Sequence, residues 1–197
     1  KVDAGSVVQA IADAKPDAVF NALFAADLAK FVREGNNRGL LKDLPVVSLL
    51  TGEPEYLDPL RDEAPVGWIV TGYPWQTIDT PAHKAFVKAY QAANHGADLR
   101  LGSVIGYSLI KSLVEGVKRA GGKTDTESMI KAFSGLKVDT PDGPIVYREI
   151  DHQSTLGVYV GKIGLKDGRG IMVDYRYVPG EKLLPPDDEV AKLRARD

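Results

Sequence analysis

Apolar positions along this chain change period several times, and each change marks an element. Val7, Val8 and Ile11 recur at helical spacing, Ser6 with Gln9 gives a capping-box signature, and Pro16 closes the helix. Ala18-Val-Phe-Asn-Ala-Leu-Phe24 then runs apolar at strand length. Asp27 opens a second helix with Leu28, Phe31 and Val32 on one face and Gly39 just past its end. Val46-Val-Ser-Leu-Leu50 predicts the next strand, a short helix covers Glu55 to Arg61, and Gly67-Trp-Ile-Val-Thr71 predicts a third strand. Helices alternating with strands predict a parallel sheet covered on both faces.

After Tyr73-Pro-Trp75 the pattern becomes helical. Thr80-Pro81 reads as an N-cap followed by proline at the first helical position, with Phe86, Val87 and Tyr90 on the buried face. A longer helix runs from about Ser103 to Arg119, with Ile105, Leu109, Leu113 and Val117 on one stripe and Gly121-Gly122 as its stop. Thr124 with Glu127 reads as a second capping box, opening a helix through Met129, Ile130 and Phe133. Three helices in a row cannot complete a sheet of their own. The remainder is β: Ile145-Val-Tyr147, then Val158-Tyr-Val160 and Ile171-Met-Val-Asp-Tyr175 flanking the hairpin turn Asp167-Gly168. Asp187 to Asp197 reads as a charged surface tail or a last helical turn.

Composition narrows the function classes. The 197 residues carry 25 Lys and Arg against 27 Asp and Glu, a balance with no nucleic-acid footprint. No apolar run approaches the roughly 20 residues of a membrane span. Cysteine is absent, which excludes disulfides, thiolate zinc sites and a cysteine nucleophile. Lys1 is followed directly by a helix pattern, so the sequence reads as a piece that begins mid-fold.

Catalytic chemistry finds little support. His83, His95 and His152 lack metal-ligand spacing, so no metal is expected. Asp151-His152 has the look of an oriented general base, but no serine elbow exists to use it, and a local turn is the simpler account. Gly121-Gly-Lys-Thr124 imitates the end of a phosphate loop, yet the required first glycine is Val117 and the segment follows a helix. No dinucleotide fingerprint follows a strand, so no cofactor is expected. Aromatic and loop chemistry remains. Phe24, Leu50-Thr51-Gly52-Glu53 and Tyr73-Pro-Trp75 fall at the carboxyl ends of the three predicted parallel strands, where open α/β sheets hold ligands. Core or hinge packing is the competing account of Phe24 and Trp75.

Several segments, weak singly, form an ordered set. Lys15-Pro-Asp-Ala-Val-Phe20, Thr80-Pro-Ala-His-Lys-Ala-Phe-Val-Lys-Ala-Tyr90, Gly106-Tyr107, Asp139-Thr-Pro-Asp-Gly-Pro-Ile-Val-Tyr147, Asp151-His-Gln153 and Val158-Tyr-Val-Gly-Lys162 follow one another at family spacing. Together they resemble the solute-binding proteins of branched-chain amino-acid-type ABC transporters, the leucine/isoleucine/valine-binding kind. The resemblance implies a type I periplasmic-binding-protein-like α/β fold: two lobes joined by three crossovers, closing on a solute like a Venus flytrap. It covers only the C-terminal half of such a protein.

The resemblance places residues 1–78 in the second lobe and 79–152 in helices and a strand returning to the first. Residues 153–197 then form the final crossover, a β-hairpin of the second lobe and the tail. It implies ligand contacts at Phe24, Leu50, Thr51, Tyr73, Trp75, Leu101 and Gly102. Near Leu50-Thr51 amino-acid binders of the family place an acid for the ligand ammonium; here the nearest acid is Glu53, which points toward an apolar or aromatic carboxylate. The implied partners are a small-molecule solute, the membrane permease of an ABC importer, and either the missing N-terminal half or a second copy docked through exposed helices. The implied location is periplasmic, or extracellular and lipid-anchored in a Gram-positive host, and no catalysis is implied. A ligand-sensing domain of a receptor or regulator with the same fold is the alternative.

Overall fold

The computed structural model describes residues 3–193, which divide into two compact units. The first comprises Lys1–Thr77 and Tyr159–Tyr177, the second Ile78–Val158 and Val178–Asp197. The chain thus passes between units three times, after residues 77, 158 and 177.

The first unit follows the predicted alternation: α1 (Ala4–Ala14), β1 (Val19–Asn21), α2 (Ala25–Asn37), β2 (Val46–Gly52), α3 (Pro54–Leu60) with a 3-10 turn at Arg61–Glu63, and β3 (Ile69–Gly72). Strands β1, β2 and β3 pair in parallel in that order. The later strands β6 (Val158–Lys166) and β7 (Arg169–Val178) extend the sheet, β6 lying antiparallel to β3. One face carries Asn21, Val46, Ser48, Val70, Ile163 and Met172, all buried. Helix α2 contributes Leu28, Phe31 and Val32 to this core, and the Phe31 and Trp68 rings lie 6.2 Å apart. Helix α3 closes over β7 at Gly170, where an added Cβ would come within 2.6 Å of Ala64 and 3.1 Å of Leu57.

The other face is not covered among the described residues. Phe20, Val47 and Ile69 stand in register across β1, β2 and β3 and are 66%, 41% and 45% exposed. Leu49, two residues along from Val47, continues the row and is also exposed. The sequence pattern predicts cover on both faces, and the described chain supplies one.

The second unit contains α4 (Pro81–Ala93), α5 (Leu101–Arg119), α6 (Thr126–Phe133), a β4–β5 hairpin (Lys137–Thr140 and Gly143–Val146) and a last helix, α7 (Asp187–Leu193). Leu136, Val138 and Ile145 form a core with Phe133, Tyr147 and Leu156 against it. Thr80 caps α4 as predicted, its hydroxyl accepting the His83 amide at 3.3 Å. Two other caps differ from the sequence expectation. Asp3, not Ser6, caps α1 and accepts the Gly5 amide at 3.2 Å, and Asp125, not Thr124, caps α6 and accepts the Ser128 amide at 3.0 Å; a carboxylate there also gains from the helix dipole. Strand β4 went unpredicted; Lys137–Thr140 is short and mostly polar.

Helix α5 also packs on a different face from the one its apolar stripe suggests. Val104, Ser108, Ser112 and Gly116 are buried, whereas Ile105, Leu109 and Leu113 are exposed. Small side chains let the helix approach closely: a Cβ on Gly116 would lie 2.6 Å from the Phe133 ring. Ser112 satisfies its hydroxyl on the Ser108 carbonyl at 2.8 Å. The large apolar stripe therefore has no partner within this unit among the described residues.

His83 is completely buried and meets the Phe86 ring edge-on at 6.3 Å. Burial holds its imidazole below the ordinary pKa of 6.5 and so keeps it neutral in the fold. The unfolded chain binds a proton near pH 6.5 that the folded chain refuses, so this contribution to stability is full above that pH and declines below it. The melting temperature should fall from pH 7.5 to 5.5, and His83→Gln should flatten that slope. An unchanged slope in the variant would place the acid sensitivity elsewhere.

Candidate functional site

Three parallel strands end side by side, and the chain after each end carries the residues singled out from sequence. Beyond β1, Phe24 is extended (φ −147°, ψ 173°) and precedes α2 as its N-cap, leaving the ring 60% exposed. The predicted strand through Phe24 stops at Asn21 because the Asn21 amide oxygen accepts the Leu23 amide at 3.2 Å and turns the chain. Asp27 does not open the helix but sits in its first turn.

At the end of β2 the register with β3 shifts between Ser48 and Gly52. Leu50 lies in this bulge with φ +62°, its amide donating to Thr71 Oγ1 at 2.9 Å and its carbonyl accepting from Glu53 at 2.9 Å. A bulky side chain in the left-handed region is uncommon, and holding it there costs about 1–3 kcal/mol. The Leu50 side chain is thereby turned outward while Thr51 is fully buried. Beneath the bulge lies a polar ladder: Asn21 Nδ2 donates to Ser48 Oγ at 2.7 Å, and the Ser48 and Thr51 hydroxyls are hydrogen-bonded to each other at 2.5 Å. All three are buried. Neither Asn21 nor Ser48 was singled out from sequence, though a polar residue inside each apolar strand was the available signal.

Beyond β3, Gly72 packs so closely on β2 that a Cβ would lie 2.3 Å from the Gly52 carbonyl. Tyr73 is buried inward, lining a cavity of about 20 Å³ with Gly52, Leu57 and Met172. Trp75 is half-buried, and Gly72 to Ile78 is extended and turned, with no α-helix. Pro74 accounts for this, since it removes an amide donor and disfavours helix at Tyr73. Phe24 and Leu50 are thus the presented apolar side chains of the first unit's candidate site. Glu53, the nearby acid, is buried as the N-cap of α3.

Leu101 and Gly102 belong to the second unit, where they begin α5; Leu101 is half-buried and Gly102 is exposed with open space at its Cβ position. In the same unit Asp151 pairs with Arg148 and accepts the Gln153 amide at 2.9 Å. It thus holds a turn, and Arg148 reaches on to the Pro185 carbonyl at 2.8 Å. A larger apolar cavity, about 440 Å³, lies between α2 and α3 and is lined by Ala26, Leu28, Ala29, Tyr56 and Leu60. None of the seven sequence-derived candidates lines it. Among the described residues no group of three or more His, Asp or Glu could hold a metal ion.

A family model described as periplasmic binding protein matches residues 1–169. The chain belongs to the periplasmic binding protein family. No curated protein matches it significantly. Among solved structures, the solute-binding protein of an ABC transporter from Rhodopseudomonas palustris BisB5, in complex with 3,4-dihydroxybenzoic acid, is 28% identical with a TM-score of 0.70. That alignment covers 90% of this chain and 49% of the other. A solute-binding protein from R. palustris HaA2, in complex with p-hydroxybenzoic acid, aligns at TM-score 0.74 and 23% identity over 98% of this chain and 52% of its own. The leucine-, isoleucine-, valine-, threonine- and alanine-binding protein of Brucella ovis aligns at TM-score 0.69 and 23% identity, over 94% and 49%. The periplasmic binding chain described here therefore spans about half the length of these structures. Its α/β architecture is theirs, and no described helix is long and apolar enough to cross a membrane.

The ladder beneath Leu50 yields a direct test. Ser48→Ala strands buried partners on both sides, Asn21 and Thr51, and should cost about 1–3 kcal/mol. Urea unfolding of the variant checks this; a loss well under 1 kcal/mol would show the ladder to be dispensable.

Proposed function

We propose that this chain is the C-terminal portion of an extracytoplasmic solute-binding protein. The intact molecule captures a small carboxylate-bearing solute by hinge closure and delivers it, without catalysis, to the permease of an ABC importer. The periplasm is its proposed place of work. One observation carries the choice of solute. At the adjacent ends of β1 and β2 the presented side chains are Phe24 and Leu50, and the neighbouring Glu53 carboxylate is buried at a helix N-cap. A ligand ammonium enclosed against such a surface would go unpaired, at a cost of several kcal/mol. An aromatic ring would find stacking and apolar contact there. The 28%-identical relative solved with 3,4-dihydroxybenzoic acid supports the same class.

The open faces support a complementary half as partner. Helix α1 packs beside α2, on the covered side of the sheet, and leads into β1. Right-handed crossovers on one face run in one direction along a sheet, so the strand preceding α1 belongs beyond the free edge of β1. Helices covering Phe20, Val47, Leu49 and Ile69 would then connect strands on that far side, where the strand order reverses. The exposed stripe of α5 is the second unit's share of the same deficit.

Two measurements check these proposals. In a thermal-shift panel on the chain with its complementary half, 3,4-dihydroxybenzoate or 4-hydroxybenzoate at 100 times its dissociation constant should add about 2.7 kcal/mol. Stabilisation by leucine or valine with no response to any aromatic acid would reverse the assignment. By light scattering, the chain alone should self-associate, and addition of the complementary half should give a defined one-to-one complex. A monodisperse monomer that binds solute with full affinity on its own would refute the need for a second half.

A further inference from the structure

The hairpin β6–β7 is out of step with its own turn. A two-residue turn at Asp167-Gly168, both with positive φ, pairs residue 166 with 169 and, counting back, Tyr159 with Arg176 and Gly161 with Asp174. The contacts observed are one residue further along. The Tyr159 ring meets Tyr177 at 5.0 Å and Tyr175 at 5.7 Å, and a Cβ on Gly161 would lie 2.6 Å from the Tyr175 Cβ. Asp174 supplies the slip: it is exposed, with φ +49° in the middle of β7. One extra residue in a strand moves every later side chain to the opposite face. Without it Tyr175 and Tyr177 would point away from Tyr159.

The tyrosines so gathered touch all three points where the chain leaves or enters the first unit. Tyr159 is the first residue after the second passage and Tyr177 the last before the third. Tyr175 reaches the first passage through its phenol, which donates to Thr77 Oγ1 at 3.0 Å. The Thr77 hydroxyl donates onward to the Pro74 carbonyl at 3.2 Å, and the Thr77 amide donates to the same oxygen at 3.0 Å. Tyr159 also stands opposite Gly72, the last residue of β3. Gly161 lacks the side chain that would block this packing.

We propose that the Asp174 bulge assembles Tyr159, Tyr175, Tyr177 and Thr77 into an anchor that ties the first-unit ends of the three passages together. The backbone rotations of solute closure then fall on the residues beyond the anchor, and the three passages act as one pivot. This rests on the hinge-closure reading, but the anchor itself is testable without a ligand. Hydrogen exchange on the chain, resolved by peptide, is the measurement. Tyr175→Phe deletes only the phenol hydroxyl and should speed exchange in residues 74–79 by about tenfold, as expected for one hydrogen bond lost. Exchange in β2 should stay as it was. Asp174→Val disfavours the positive φ and should loosen residues 74–79, 156–160 and 176–179 together, whereas Asp174→Gly keeps the bulge and should leave them unchanged.

Loosening confined to residues 172–177 in both Tyr175→Phe and Asp174→Val would overturn the anchor and leave ordinary strand packing. With the complementary half present and 3,4-dihydroxybenzoate as probe, Tyr175→Phe should alter the closing rate in stopped flow. Absence of binding by the unaltered protein would count against the solute assignment, while the exchange pattern would still decide the anchor.

Discussion

A parallel sheet is stable only when both faces are covered, because its strands carry apolar side chains on each side and its crossover helices lie on one side at a time. Most features of the first unit follow from this constraint. Helices α2 and α3 lead from β1 to β2 to β3 and so cover the same face, where Val46, Ser48, Val70 and Met172 are buried. Phe20, Val47, Leu49 and Ile69 then have nothing over them among the described residues. Each large apolar side chain left in water forgoes about 1.5–3 kcal/mol. A row of four exposed apolar residues is a large uncovered surface for a sheet of this size, and it motivates the proposed complementary half. The same parallel arrangement brings the three carboxyl ends to one edge, so the element that creates the deficit also creates the candidate site.

Much of this was legible in the sequence, for a reason. Period-2 and period-3.6 patterns report burial, and the strands and helices of the first unit are buried on at least one face. Val46 to Leu50 and the Leu28, Phe31 and Val32 face therefore read correctly. The stripe on α5 misled, because periodicity shows that a face is apolar without showing what lies against it. Close packing there is governed by Ser108, Ser112 and Gly116, whose small size carries no hydropathy signal. The caps moved because a carboxylate stood close to each predicted cap: Asp3 lies three residues before Ser6 and Asp125 one residue after Thr124, and a carboxylate at an N-cap also gains from the helix dipole.

Within the candidate site, legibility followed exposure of chemistry rather than of position. The aromatic and apolar residues at the strand ends were visible as a set, yet their orientations were not. Tyr73 turns into the core, where it lines a small cavity with Gly52 and Met172, while Gly52 and Gly72 let β2 and β3 approach closely. Leu50 turns out because the bulge rotates it, and beneath the bulge Asn21 bonds Ser48 across 27 residues of sequence while Ser48 bonds the nearby Thr51. Such long-range polar pairing leaves no local pattern to read.

Backbone strain is concentrated at a few positions. Eight non-glycine residues among those described have positive φ. Lys15 and His95 sit at or just past helix C-termini, where a left-handed residue is the usual stop, Arg61 (φ 50°, ψ −121°) joins α3 to the 3-10 turn, and Asp167 occupies the hairpin turn that requires it. His152 lies in the turn that Arg148 and Asp151 hold. Three are left that no turn or helix stop demands: Ala25, Leu50 and Asp174. Ala25 opens α2 just beyond β1 and Leu50 lies in the bulge near the end of β2, both at the candidate site, and Asp174 is placed by the tyrosine packing beside the chain passages. A conformation costing about 1–3 kcal/mol persists only where surrounding packing and hydrogen bonds over-determine it. In this chain those positions are the strand ends of the candidate site and the proposed pivot. If the chain closes on a solute as proposed, fixed geometry would then stand at the two places such a closure needs it: the strand ends that would meet the solute and the base of the movement.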